Sequence, residues 1–258
     1  MLRAEAAALS ESERLTTLAH ELGRVDREWA ILAEGNCSML TDAGVVRVKA
    51  SGAGMSRATT DDFVDVPLNE LLSLIDRPGA GDADVQDVFD AVATRSRGRR
   101  PSVESLLHAV CLDQPGVTWV GHTHPIPVNA ILSSSRPTLL TDGALFPDQV
   151  VVLGTRPLLV PYVDPGLHLA QEVRRLLRER AGDVPRAIYL QNHGMFALGN
   201  SSAEVLQITE MAVKVARVLI GACSVGQPAY MDPRQVARID TRPDELLRRA
   251  TLQGKGVA

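Results

Sequence analysis

The 258-residue chain is 45% hydrophobic and 22% charged, enough apolar mass for one large core, and 27 basic against 31 acidic side chains leave a formal net charge of -4. That balance offers no general attraction to polyanions, so nucleic acid is not expected as a partner, and no apolar run approaches the roughly 20 residues of a membrane span. Cys37, Cys111 and Cys223 lack CxxC spacing and suggest neither a disulfide framework nor a thiolate knuckle; a charge-rich N-terminus without a signal-peptide pattern points to a cytoplasmic protein.

Residues 5 to 23 place Leu9, Leu15, Leu18, Ala19 and Leu22 on one stripe among Glu and Arg, which predicts an amphipathic helix. Residues 36 to 41 and 44 to 49 flank the turn signal Asp42-Ala-Gly44 and read as a hairpin. Thr59 to Asp62 reads as a turn leading into a short Val-Asp-Val strand. Arg95-Ser-Arg-Gly-Arg-Arg100 reads as a solvated loop or an anion-steering rim. A helix is expected from Pro101 to Leu112, with Pro101-Ser102 at its start, Glu104 in its first turn and amides able to receive an anion. Thr118 to His122 is a short strand running into Thr123-His124-Pro125, where the proline favours an extended His124.

Val150 to Leu153 and Leu158 to Val160 read as two further strands, and residues 166 to 180 as a second amphipathic helix ended near Gly182. Ala187 to Leu190 predicts a strand entering Gln191-Asn-His-Gly194, with Phe196 to Leu198 as its partner. Ser201 or Ser202 then caps a helix through about Ala222. Short turns between neighbouring strands imply antiparallel pairing, so a mixed or mostly antiparallel sheet flanked by helices fits the order.

His122-Thr-His124 sets two imidazoles at i and i+2, which an extended segment points to one side, and His193 sits at another strand end before Gly194. Three neutral imidazoles suit zinc and leave a position for water, substrate or a carboxylate. The residues alone leave open that each His is merely a hydrogen-bonded core or surface group. Glu104 reads either as a helix-dipole acid or as a metal ligand or base, and His108, four residues on, either orients it or packs. Asn36, Ser38, Ser51, Gly52 and Ser102 lie in small polar segments able to offer amides and hydroxyls to an anion, or simply to make turns.

Taken in order, Gly35-Asn-Cys-Ser38, Ser51-Gly52, Pro101-Ser-Val-Glu104 with His108, Gly121-His-Thr-His-Pro125 and Asn192-His-Gly194 resemble the motifs of the class II aldolase and adducin family over about residues 10 to 225. The resemblance implies one α/β domain over residues 1 to 258 with a tail at 226 to 258. Its fold would be three-layer α/β/α around a central mixed, largely antiparallel sheet, assembled as a homotetramer with active sites at subunit contacts. It implies one divalent metal ion per subunit held by His122, His124 and His193, zinc being the expected ion and manganese, cobalt or iron the alternatives. Glu104 would ligate the metal in the empty site and act as acid/base with substrate bound, and Asn36, Ser38, Ser51, Gly52 and Ser102 would bind phosphate.

The implied chemistry is aldolase-type cleavage of a small hydroxy-carbonyl compound or sugar phosphate through a metal-stabilised enediolate. Epimerisation, decarboxylation or dehydration are the alternatives, with a non-catalytic adducin-like module as a third reading. Val103 stands where fuculose-type aldolases of this family commonly carry a second serine. Thr141 to Asp148 offers Asp142 and Asp148 where they have a tyrosine acid. Arg234, Arg238 and Arg242 in the tail read as substrate, interface or surface charges.

Overall fold

The computed structural model describes residues 9–252. Helix α1 spans Glu11–Leu22; its Ser10 side chain accepts from the Glu13 amide while the Glu13 carboxylate accepts from the Ser10 amide, a reciprocal cap that satisfies two helix-start donors. Residues 5 to 8 of the expected opening helix lie outside the described residues. Strands β1 (Asn36–Leu40) and β2 (Val45–Lys49) form the expected hairpin, and β3 (Phe63–Pro67) pairs with β2 after two 3-10 turns, at Met55–Arg57 and Thr60–Asp62. The remaining strands are β4 (Trp119–Thr123), β5 (Leu158–Val160), β6 (Ala187–Leu190) and β7 (Gly194–Gly199).

They make one seven-stranded sheet in the order β3-β2-β1-β4-β7-β6-β5, antiparallel throughout except for the parallel β5–β6 pair. Side chains alternate across it with the period of two that a strand imposes. Val46, Val48, Val64, Val66, Val120, Ile188, Leu190, Phe196 and Leu198 enter one core. Cys37, Met39, Trp119, Ala187, Tyr189, Met195 and Ala197 enter the other.

Helices α2 (Leu68–Ile75), α3 (Asp82–Arg95), α4 (Ser105–Leu112) and α7 (Leu167–Glu179) cover the first face. Helices α1, α5 (Ile126–Leu132), α6 (Pro147–Leu153) and α8 (Ser202–Val225) cover the second, giving the expected three layers. Gly121 lets the second layer approach, because a Cβ there would stand 2.7 Å from Val205 Cγ1 and 2.9 Å from Leu22 Cδ1. In the tail, α9 (Pro233–Thr241) buries Ile239 against Ala144, Val150 and Val151, and α10 (Pro243–Leu252) follows.

Two expectations are corrected. Val150 to Leu153 is the end of helix α6, not a strand: Pro147 begins that helix, Asp148 lies in its first turn and Gly154, at φ 73, ends it. Four apolar residues in a row fit a buried helix as well as a buried strand, and the cap residues decide. Helix α4 begins at Ser105 rather than near Pro101, with Glu104 as the residue before its first turn. Pro101 instead bridges to Ala50 across an isolated β-contact.

Candidate metal centre

Three strand ends and the start of α4 meet on the first face of the sheet. Asn36 of β1 lies opposite His122 of β4, and His122 lies opposite Phe196 of β7, which stacks on its ring at 4.2 Å between centroids. His124 follows one residue beyond β4, held by its amide donating to the Trp29 carbonyl at 2.7 Å. His193 lies in the turn between β6 and β7, where Asn192 takes a left-handed φ of 56 and the Asn129 side chain donates to the His193 carbonyl at 2.9 Å.

Gly194 completes that turn for a steric reason. A Cβ there would stand 2.5 Å from His124 Cδ2, 2.7 Å from the Thr123 carbonyl oxygen and 3.3 Å from His122 Cε1. The absent side chain is the space in which the imidazoles gather.

His122, His124, His193 and Glu104 each offer one ligand atom, all within 4.8 Å of one another. Glu104 Oε1 is 2.9 Å from both His122 Nε2 and His193 Nε2, and the Nε2 atoms of His122 and His124 are 2.9 Å apart. Four donors placed tetrahedrally around zinc stand about 3.3 Å from one another. The outward nitrogens fix the tautomers: His122 Nδ1 faces the Met195 carbonyl at 3.0 Å and His124 Nδ1 faces the Glu34 carboxylate at 3.1 Å. Each Nδ1 must therefore carry the proton, leaving a lone pair on each Nε2.

Those two lone pairs and the Glu104 Oε1 then face one another as three acceptors in a largely buried space. One added proton relieves one such contact, whereas a divalent cation satisfies them all, so the donor set fits a metal. Burial and the neighbouring imidazoles push His124 down to about 4, keeping it neutral and able to ligate at neutral pH. Burial pushes the Glu104 carboxyl up, but its electrostatic contacts with the His122 ring foremost, and then with His193, outweigh that and hold the group well below the ordinary carboxylate range.

The second Glu104 oxygen has its own support. Asn36 Nδ2 donates to Glu104 Oε2 at 2.7 Å, Asn36 Oδ1 meets His108 Nε2, and His108 Nδ1 meets the Ser38 hydroxyl at 2.6 Å. Ser38 and His108 are fully buried and Asn36 nearly so. Of the five residues expected to bind phosphate, Asn36 and Ser38 are thus turned inward with their polar atoms already engaged. The Ser38 hydroxyl has no exposed surface here and meets His108 Nδ1. Ser51 and Gly52 are exposed, and Ser102, half-buried, is brought beside them by the Ala50–Pro101 bridge and by the Ser51 amide donating to the Arg100 carbonyl at 2.9 Å.

Sequence reasoning missed Glu34 and Lys49. Glu34 accepts from the Ile31 amide at 2.8 Å as well as facing His124; lying two residues before Asn36, it carried no periodic signal. Lys49, read only as the end of a hairpin strand, is buried and donates to the carbonyls of Ala50 at 3.2 Å and Ala53 at 2.5 Å. Burial lowers its pKa, partly offset by Cys37 and Glu104. Asp142 and Asp148 are not in the cluster: Asp142 accepts from Thr138 at 3.3 Å and Asp148 pairs with Arg248 at 2.7 Å. Arg242 pairs with Asp244, while Arg234 and Arg238 are exposed on the tail.

Comparison with known proteins assigns the fold and family. The profile of the class II aldolase and adducin N-terminal domain matches residues 13–220. The N-terminal class II aldolase domain of a conserved Thermoplasma acidophilum protein is 24% identical, covering 82% of this chain and 94% of that one with a TM-score of 0.64. L-fuculose 1-phosphate aldolase from Glaciozyma antarctica PI12 is 18% identical, covering 99% and 93% with a TM-score of 0.62. A Bacillus subtilis (strain 168) protein described as uncharacterized oxidoreductase YuxG is 26% identical over 196 residues, 72% of this chain; the chain spans only 26% of that relative's length. The chain belongs to the class II aldolase and adducin family.

Proposed function

We propose, from that family membership, that the chain is a metal-dependent lyase of the aldolase type, cleaving or forming a C–C bond of a small hydroxy-ketone or sugar phosphate. The observation that carries this reading is the set of three mutually facing acceptors at His122 Nε2, His124 Nε2 and Glu104 Oε1, completed by His193. A divalent ion bound there, zinc being the expected one, supplies Lewis acidity toward a carbonyl oxygen. Glu104 takes or returns the proton at the carbon beside that carbonyl, its Oε2 held by Asn36 while Oε1 faces the pocket. The lowered pKa keeps the Glu104 carboxylate ionised, the form that can accept a proton.

Ser51, Gly52 and Ser102 form the polar wall available to an anionic substrate group, and buried Lys49 organises the 50–53 loop behind them with a positive charge. Val103, 43% exposed between Ser102 and Glu104, contributes no hydroxyl, so the wall is weaker for phosphate than a double serine would be. A homotetramer in the cytoplasm is part of the same reading. No helix of the described residues is long and apolar enough to cross a membrane.

Metal analysis followed by a retro-aldol screen of phosphorylated and free ketoses tests the proposal. Stoichiometric divalent metal, lost in His122→Ala together with aldehyde release, is the expected result. Protein without such metal, and a His122→Ala variant unchanged in every activity, would sink it. Product analysis separates cleavage from epimerisation, decarboxylation or dehydration at the same site.

A further inference from the structure

Glu104 has two oxygens and two sets of partners. Oε1 faces the imidazoles, whereas Oε2 is reached through Asn36, His108 and Ser38, a buried run of polar side chains carried by β1 and α4. The run has a direction. An ionised carboxylate only accepts, so the Asn36 amide must present its N–H to Oε2 and its carbonyl to His108. His108 must then carry its proton on Nε2, and its Nδ1 must accept from the Ser38 hydroxyl. If His108 carried the proton on Nδ1 instead, the Asn36 amide would turn over to donate to Nε2 and push its carbonyl oxygen against the carboxylate.

We infer that His108 is a positioning residue for Glu104. By donating from Nε2 to Asn36 Oδ1, with Ser38 holding the tautomer, it fixes the Asn36 amide in the one orientation that restrains Glu104 Oε2 and leaves Oε1 to the imidazole cluster. His108 touches neither the cluster nor the cleft; it is fully buried and packs edge-on to Phe196 at 5.2 Å, the same ring that stacks on His122. One aromatic side chain thus locks both the ligand and the relay, and the orientation of the carboxylate is set from two residues away. The catalytic consequence rests on the role of Glu104 proposed above; the hydrogen-bond order does not.

Two measurements test the inference without a substrate. Long-range nitrogen–proton NMR on the metal-free wild-type protein reads the His108 ring: a neutral imidazole protonated on Nε2 is expected, and a proton on Nδ1, or an imidazolium, overturns it. Zinc affinity, by competition with a chromophoric chelator, compares wild type with His108→Gln, whose amide nitrogen replaces the Nε2 donor, and His108→Leu, which has none. His108→Gln is expected within roughly threefold of wild type and His108→Leu weaker by roughly 10–100-fold, the range for losing an outer partner of a metal ligand. Equal affinity for all three proteins overturns the inference, as does a His108→Gln variant that folds yet binds as poorly as His108→Leu. Should His108→Leu not fold, the wild-type tautomer decides. A wild-type protein that binds no zinc sinks the proposed function instead, and the ring tautomer still decides the relay.

Discussion

Gly194→Ala probes the site without removing any of its polar atoms. The added methyl would lie 2.5 Å from His124 Cδ2 and 2.7 Å from the Thr123 carbonyl oxygen, against the roughly 3.5 Å at which such atoms normally rest. The carbonyl belongs to the β4–β7 ladder, paired in register from Trp119–Gly199 to Thr123–Met195, so it cannot move away cheaply. The ring of His124 is the softer partner and must swing, breaking its 3.1 Å contact with Glu34.

Overpacking of this kind costs about 1–3 kcal/mol, which for a chain of this size lowers the melting temperature by roughly 3–10 °C in the metal-free protein. A displaced His124 should also weaken zinc binding by at least about tenfold. Differential scanning fluorimetry and chelator competition read the two effects. Gly221→Ala serves as control, since a Cβ there meets nothing within 4 Å and an alanine inside helix α8 should stabilise slightly. A Gly194→Ala protein that melts and binds zinc like wild type would falsify the steric account of the His124–His193 arrangement.

Glu34→Gln removes the charge behind His124 Nδ1 and should weaken zinc binding by roughly 10-fold with little change in fold, measured by the same competition; unchanged affinity would detach Glu34 from the site. Ser10→Ala takes the acceptor from the α1 cap and should cost about 1 kcal/mol, a melting shift of roughly 2–4 °C. The metal-free protein should lose stability as pH falls below 6.5. Burial depresses His124 to about 4 and His108 to about 3 in the folded state, so only the unfolded chain takes up those protons on the way down. That contribution is fully present above 6.5 and disappears as pH approaches the folded values. Urea midpoints at pH 7 and pH 5 should therefore differ by less in His108→Gln than in wild type; an equal difference would remove His108 from the balance.

The fold was legible where local chemistry and burial agree. Asp42-Ala-Gly44 sits between alternating runs, and β1 and β2 pair around it; the apolar stripe ending at Leu22 packs against the sheet as α1. Val150 to Leu153 misled because a buried helix and a buried strand present the same short apolar run, and Pro147 and Gly154, which distinguish them, lie outside it. The helices over Leu68–Ile75 and Asp82–Arg95 went unread for a related reason. The first is only eight residues long and begins at Pro67 without a side-chain cap, and the second starts from a glycine, Gly81.

The site divides along a different line. The side chains that face the pocket, Glu104 and the three histidines, carry chemistry in their residue types and so stood out from the sequence. The residues that orient them do not: Glu34 is one acid among 31, Lys49 ends a strand, and Ser38 and His108 could be ordinary core hydrogen bonds. Their roles depend on which face of β1 meets which turn of α4, a relation made by β1–β4 pairing over some 80 residues of chain. Asn36 shows the limit most clearly. A small polar residue after glycine at a strand start invites an anion-binding reading, yet its pairing opposite His122 turns the amide inward, where its Nδ2 donates to the Glu104 carboxylate. In the proposed function the anion-facing role falls to Ser51, Gly52 and Ser102, which the Ala50–Pro101 bridge brings near one another. A phosphate-dependent activity that survived Asn36→Ala with an unchanged KM but a lowered kcat would accord with that division of labour. A raised KM alone would return Asn36 to the substrate wall.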